Sequence, residues 1–220
     1  MGRQSGNNYA KATSSTPIAI NSNGRVMSTQ GVKKMLSSVG RITDLPDREV
    51  VRQLQQGISR FESKLGLRER VVKTADLSGA YGVTYIGSDG SHGVYLDKKL
   101  FSKKRDAIEK SYRRSNYDTG FKNKTNRPIQ HTITHELAHS LWTSSYDAPR
   151  HRAAGIEIKQ LFDTFRRDRE RRGARQFKNY GTYGMKNVDE FWAEVITKGV
   201  HGNSDRYTRK AIAIAKKYKL

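Results

Sequence analysis

The chain contains no cysteine among its 220 residues. Disulfide scaffolds and thiolate metal sites are therefore excluded, so any bound metal ion must be held by histidine and carboxylate side chains. Apolar runs are short as well: none approaches the length of a transmembrane helix, and residues 1–6 lack the apolar segment of a signal peptide. We therefore expect a soluble protein with neither a transmembrane segment nor a signal peptide.

Acidic residues are scarce relative to basic ones. Lysine and arginine total 42 against 21 aspartate and glutamate, which gives a formal net charge of +21. A charge of this size attracts nucleic acid, anionic cell-envelope polymers or acidic proteins through salt-sensitive contacts. Basic residues cluster at 98–114, 166–178 and 210–219, without a base-reading motif or interleaved aromatic residues. The charge predicts non-specific contacts and leaves the kind of partner open.

The apolar pattern predicts an α+β domain that is preceded by a flexible segment and followed by a helix. Residues 1–44 are expected to be a flexible, basic N-terminal segment, because glycine, serine, asparagine and threonine are frequent in its first 25 residues. Residues 45–203 form the predicted domain, with a helix at its start, about three short strands between residues 70 and 97, and helices after them. Residues 204–220 are expected to form a basic C-terminal helix.

Residues 135–139 carry the most specific chemical pattern in the chain, H-E-x-x-H. On an α-helix two histidines four residues apart lie on one face, about 6 Å apart along the axis. His135 and His139 can therefore bind one zinc ion, and Glu136 then lies beside the open coordination position as a general base. The alternative interpretation is a core helix that holds these three residues by coincidence.

A third metal ligand must come from elsewhere in the chain. A catalytic zinc ion needs three protein ligands, and the extended pattern H-E-x-x-H-x-x-G-x-x-H is absent. The remaining candidates are Glu190, Glu194, Glu157, His131 and His151. Glu190 and Glu194 lie one turn apart on a predicted helix beside bulky apolar residues, where a carboxylate is costly unless a positive charge compensates it. Alternatively, Asn187 caps this helix, Glu190 completes a capping box and Glu194 is solvated.

Two motifs together resemble a known family. The H-E-x-x-H pattern is followed by Tyr183-x-x-x-Asn187-x-x-Glu190-Phe191-x-Ala193-Glu194, with seven residues from the tyrosine to the first glutamate. This combination resembles the catalytic domain of the anthrax lethal factor-like zinc metallopeptidases, which are gluzincins and also occur in phage head and minor capsid proteins. The similarity includes Gly93–Asp97 and covers about residues 70–200.

The resemblance implies a zincin-like metallopeptidase fold with a small sheet and an H-E-x-x-H helix. It implies that His135, His139 and Glu190 bind Zn²⁺, that Glu136 is the general base and that Tyr183 stabilises the transition state. The expected function is a zinc-dependent endopeptidase that hydrolyses peptide bonds of a protein substrate through a zinc-bound water molecule. The alternative is a phage virion structural or DNA-associated protein that retains the fold.

The resemblance also suggests a location and partners. We expect a cytoplasmic or virion-associated protein that binds a protein or peptide substrate. Non-specific nucleic acid or phage capsid proteins are the further partners expected for the basic surface.

Several residues around the motifs have weaker assignments. Glu194 could accept a ring N–H from a ligating histidine or be a solvated carboxylate. Tyr180 competes with Tyr183 for the catalytic role. Gly93–Leu96 is the candidate sheet edge for an extended substrate, with an ordinary internal strand as the alternative. His131, near a helix start, is expected to be exposed or capping.

The other histidines complete the expectations. His92, His151 and His201 are expected at the surface rather than as ligands, although His151 stays among the candidates for the third ligand. Glu157 is the second choice for that ligand after Glu190.

Overall fold

A computed structural model describes residues 18–21, 27–67, 70–77, 80–86, 92–114, 125–144, 148–173, 177 and 180–220, with the side chains of 18, 20, 21, 92 and 183 excepted. The elements are β1 (Ile18–Asn21), α1 (Thr29–Ser37), β2 (Gly40–Arg41), α2 (Arg48–Leu65), β3 (Val71–Ala75), β4 (Gly82–Ile86), β5 (His92–Asp97), α3 (Lys98–Phe101), α4 (Arg105–Tyr112), α5 (Pro128–Leu141), α6 (Pro149–Arg172), α7 (Val188–Val200) and α8 (Arg206–Lys217). Short 3₁₀ turns occupy Ile42–Asp44 and Tyr183–Met185. The chain has the predicted α+β fold.

The five strands form one mixed sheet in the order β1-β4-β5-β3-β2. Only β3 and β5 are parallel; the other neighbouring pairs are antiparallel. The prediction that Gly93–Leu96 is a sheet edge is therefore wrong, because Val94 pairs with Thr84 on one side and with Val72 on the other. Three consecutive buried apolar residues, 94–96, are typical of a strand covered on both faces.

Part of the expected flexible segment, residues 1–44, is instead structured, and the prediction is wrong for that part. β1 pairs with β4 along its length, and Ala19 is fully buried. Met35 of α1 is also buried, against the sheet face that carries Val83 and Tyr95. These contacts stabilise a stretch whose own composition predicted little structure. Residues 1–17 and 22–26 lie outside the described part of the chain.

The helices bury the other face of the sheet. Val94 and Leu96 belong to the main core together with residues of α2, α5, α6, α7 and α8. The helix boundaries follow local signals: Asp47 accepts hydrogen bonds from the backbone N–H groups of Glu49 and Val50, and Gly66 ends α2 at a φ of 68°. α8 forms as predicted for 204–220, and its apolar face shares the main core. No helix in the described ranges is both long and apolar enough to cross a membrane.

Candidate metal centre

The H-E-x-x-H helix, α5, lies at the centre of the molecule. Pro128 occupies its first turn, as predicted, and every residue from Pro128 to Leu141 is buried. The rings of His135 and His139 have centroids 4.9 Å apart and planes inclined by 82°. His135 is 0% exposed and His139 is 3% exposed. Two imidazoles one turn apart are thus held in a site from which water is largely excluded.

α7 brings the third candidate ligand to these imidazoles. One Glu190 carboxylate oxygen, Oε2, lies 3.2 Å from Nε2 of His135 and 3.5 Å from Nε2 of His139. Potential ligand atoms of these three residues all lie within 4.8 Å of one another. A tetrahedral zinc ion with bonds of about 2.0–2.2 Å separates its ligand atoms by roughly 3.3–3.6 Å. The two distances from Glu190 lie close to this range, so the three residues could hold a metal ion.

A cap at its start and contacts with α5 and with the segment after α5 position α7. Asn187 caps α7, since its side-chain oxygen accepts the Glu190 backbone N–H at 2.8 Å. Asp189 accepts the backbone N–H and the hydroxyl of Ser144, both at 2.6 Å. The indole N–H of Trp192 donates to the carbonyl oxygen of Ala138 at 3.1 Å. The predicted cap exists, but the Glu190 side chain points at the histidines instead of closing a capping box.

The charge of Glu190 follows from its neighbours. Burial alone would raise the pKa of the Glu190 carboxyl, but the imidazoles of His139 and His135 outweigh burial and hold that pKa well below its usual range. The neighbouring imidazoles thus favour the ionised form of the Glu190 carboxyl, whose residue is 0% exposed. An ionised, buried oxygen beside two imidazole nitrogens is a donor set suited to zinc.

Glu136 follows His135 on α5 and packs against β4. Its side chain is 1% exposed, and neither carboxylate oxygen has a hydrogen-bond partner among the described residues. A Cβ atom at Gly82 would lie 2.5 Å from both Cγ and Cδ of Glu136, so the carboxylate occupies space that only a glycine leaves open. The Thr84 hydroxyl donates to the backbone oxygen of Glu136 at 3.4 Å. β4 therefore positions the glutamate, a role for Gly82 that the sequence analysis missed.

Glu194 lies behind the cluster rather than in solvent. Its Oε1 atom is 3.2 Å from Nδ1 of His135, and the residue is 0% exposed. Nε2 of the same ring faces Glu190, so the two carboxylates lie at the two different nitrogens of His135. This is the arrangement that orients metal-binding imidazoles in many proteins.

The two candidate tyrosines differ in what their surroundings allow. Tyr183 begins the 3₁₀ turn Tyr183–Met185, which packs on α7, but its side chain lies outside the described part of the structure. The hydroxyl of Tyr180 donates to the carboxylate of Asp205, and the Lys198 ammonium lies 4.2 Å from its ring centroid. Burial and Asp205 raise the pKa of Tyr180. The Tyr180 hydroxyl is thus already bonded to Asp205.

The remaining histidine and carboxylate candidates lie elsewhere. The prediction of an exposed or capping His131 is wrong, because contacts with α4 and α7 bury it. His151 is buried too, against the surface prediction, and His201 is half-buried. The Glu157 carboxylate forms ion pairs with lysines of α8, so it is not a metal ligand here. The His92 side chain lies outside the described residues.

Comparison of the chain with protein-family models, with curated proteins and with solved structures finds no match. The resemblance to lethal factor-like peptidases therefore stays a prediction from the residues that carry it. The structure itself establishes an α+β fold with a buried group of His135, His139 and Glu190 that could hold a metal ion.

Proposed function

We propose that the protein is a zinc-dependent endopeptidase with a zincin-like fold, acting on a protein or peptide substrate. One observation carries the proposal: two members of a buried His₂Glu donor set share α5 with Glu136, a second buried carboxylate that has no hydrogen-bond partner among the described residues. A carboxylate in such a place is costly unless a cation or a bound water molecule compensates it. A purely structural zinc site is normally closed by four protein ligands and needs no general base such as Glu136.

The proposed mechanism assigns one task to each residue. His135, His139 and Glu190 would hold the ion, and a bound zinc ion supplies Lewis-acid chemistry that acidifies water and polarises the peptide carbonyl. Glu136 accepts the proton of the attacking water as the new C–O bond forms. It then returns that proton to the departing amine nitrogen as the C–N bond breaks. By the resemblance, the Tyr183 hydroxyl donates to the carbonyl oxygen as negative charge develops on it.

The test compares the wild type with Glu136→Gln. Zinc content is measured by elemental analysis, and cleavage of a random synthetic peptide mixture is followed by mass spectrometry of new termini. Both proteins should bind about one zinc ion, while Glu136→Gln should cleave roughly 10²- to 10⁴-fold more slowly. Glu170→Gln, an exposed change on α6, is the matched control and should behave as the wild type. Absence of zinc at stoichiometric supply, or equal cleavage by Glu136→Gln, would overturn the proposal.

A second candidate is a cytoplasmic or virion-associated structural or DNA-associated protein that retains the fold. The observation that favours it is the net charge of +21, with three arginines in the last turn of α6. Such a surface would bind phage capsid proteins or nucleic acid non-specifically, with an affinity for DNA that falls steeply with salt. Zinc binding without cleavage of any peptide, together with salt-sensitive DNA binding, would favour this candidate.

A further inference from the structure

A line of buried polar side chains leads from the metal centre to α4. Glu194 presents Oε1 to Nδ1 of His135 at 3.2 Å and Oε2 to Nε2 of His131 at 3.9 Å. The other ring nitrogen of His131, Nδ1, lies 3.0 Å from the hydroxyl of Tyr112. His131 is 3% exposed and Tyr112 is 2% exposed. The catalytic scheme proposed above uses neither of them.

Hydrogen-bond chemistry gives this line a consistent set of tautomers. If His135 binds metal through Nε2, which faces Glu190, the hydrogen of the ring is on Nδ1, the nitrogen that lies 3.2 Å from Oε1 of Glu194. If the Tyr112 hydroxyl donates to Nδ1 of His131, the hydrogen of that ring is on Nε2, which faces the second oxygen of Glu194. The two imidazoles then present one N–H to each oxygen of the same carboxylate.

The distance between His131 and Glu194 defines the kind of interaction. At 3.9 Å it is too long for a hydrogen bond, so the ring N–H attracts the carboxylate electrostatically. In a buried site the low dielectric strengthens such an attraction. The ring of His131 also stacks on that of His201, with centroids 5.9 Å apart and planes inclined by 25°. The stacking and the contact with Tyr112 restrain the orientation of the ring.

We propose that His131 is a positioning residue for the metal centre. Held by Tyr112, it fixes the carboxylate of Glu194, which in turn holds His135 in the tautomer and orientation that bind metal through Nε2. The inference rests on the metal-binding part of the proposed function and adds a residue that positions one of the ligands. Direct partners of metal ligands change metal affinity by about 10- to 100-fold. His131 contacts Glu194 rather than a metal ligand, so its loss should lower the metal affinity by about tenfold, the lower end of this range.

The experiment measures zinc affinity by competition with a chromogenic chelator, in the full chain. His131→Phe keeps a ring of similar size but removes both nitrogens, and it should weaken zinc binding about tenfold. His131→Gln retains an amide N–H where Nε2 was and should recover most of the affinity. The matched control is His151→Phe, which replaces another buried histidine in a different helix and should bind zinc as the wild type does.

A double-mutant cycle shows whether His131 acts through Glu194. Glu194→Gln alone should weaken zinc binding, and adding His131→Phe to it should cost little more, because the carboxylate that His131 positions is gone. Tyr112→Phe removes one hydroxyl from a folded ring and should weaken zinc binding a few-fold. The absorption spectrum of bound Co²⁺ should change in His131→Phe and not in His151→Phe, since it reports on the ligand geometry.

The outcomes separate this inference from the proposed function. A wild type that binds no zinc overturns the proposed function itself. A wild type that binds zinc, with His131→Phe and Tyr112→Phe both of unchanged affinity, overturns only the role of His131. Fully additive effects of His131→Phe and Glu194→Gln would also overturn it, because His131 would then act by another route.

Discussion

Replacing Gly82 by alanine should displace the proposed general base. The added methyl carbon would lie 2.5 Å from Cγ and Cδ of Glu136 and 2.7 Å from its Oε2. Carbon atoms in contact normally stay about 3.5–4.0 Å apart, so the glutamate has to move by about 1 Å. Both side chains are confined between β4 and α5, so the strand cannot easily relieve the contact.

The size of the effect follows from that displacement. Proton transfer needs donor and acceptor within about 2.6–3.2 Å, and a misplacement of about 1 Å costs on the order of 10²-fold in rate. Overpacking of a buried site also lowers the free energy of unfolding by about 1–3 kcal/mol. The metal ligands are untouched, so the protein should still bind one zinc ion. Gly82→Ala should thus lose about 100-fold in kcat while it keeps its metal.

Gly57→Ala is the matched control for this prediction. Its methyl group would also meet an α5 side chain at 2.5 Å, but that atom is Cγ2 of Ile133 rather than part of Glu136. Both variants should therefore melt at lower temperature, measured by circular dichroism. Only Gly82→Ala should show the loss of kcat, measured on the peptide that the wild type cleaves fastest. Equal kcat values for the two variants would refute the reasoning.

Two further predictions concern metal and pH. Zinc at about 1,000 times its dissociation constant should stabilise the wild type by about 4 kcal/mol. Scanning fluorimetry should show this as a rise in Tm of roughly 8–16 °C, and His139→Gln should lose most of the rise. Burial, with Arg60 and Arg127 adding to it, lowers the pKa of His201 to about 4. Because the unfolded chain then binds the proton more tightly, this residue contributes stability that is lost as pH falls from about 6.5 towards 4, by up to about 3 kcal/mol. His201→Gln should flatten this part of the pH dependence in urea unfolding, and an unchanged slope would contradict the assignment.

The parts of the site that could be predicted from the sequence are those fixed by local geometry. His135 and His139 meet because a spacing of four residues on a helix brings them together whatever the rest of the chain does. The spacing of Glu190 and Glu194 on one turn was equally local. The packing of these glutamates against α5 is not a local property. The H-E-x-x-H pattern lacks a third ligand, however, and Glu190 is the best candidate among the few carboxylates available.

The errors concern residues whose environment is set by distant segments. His131 was expected at the surface because it stands near a helix start, yet Tyr112 of α4 and His201 after α7 bury it. Strand order is likewise non-local: nothing in Gly93–Leu96 indicates that β3 and β4 will pair with its two sides. The composition of residues 18–21 does not predict a strand, because β1 is stabilised by its pairing with β4.

The pairing of β1 with β4 has a consequence for anything that approaches Glu136 in an extended form. β4 carries Gly82 and Thr84 against that glutamate, and its backbone from Val83 to Ile86 is already bonded to β1 on one side and β5 on the other. A chain that added to β4 there would have to displace β1 and would exchange one set of ladder hydrogen bonds for an equivalent set. The N-terminal strand and such a chain would therefore compete for the same backbone groups of β4.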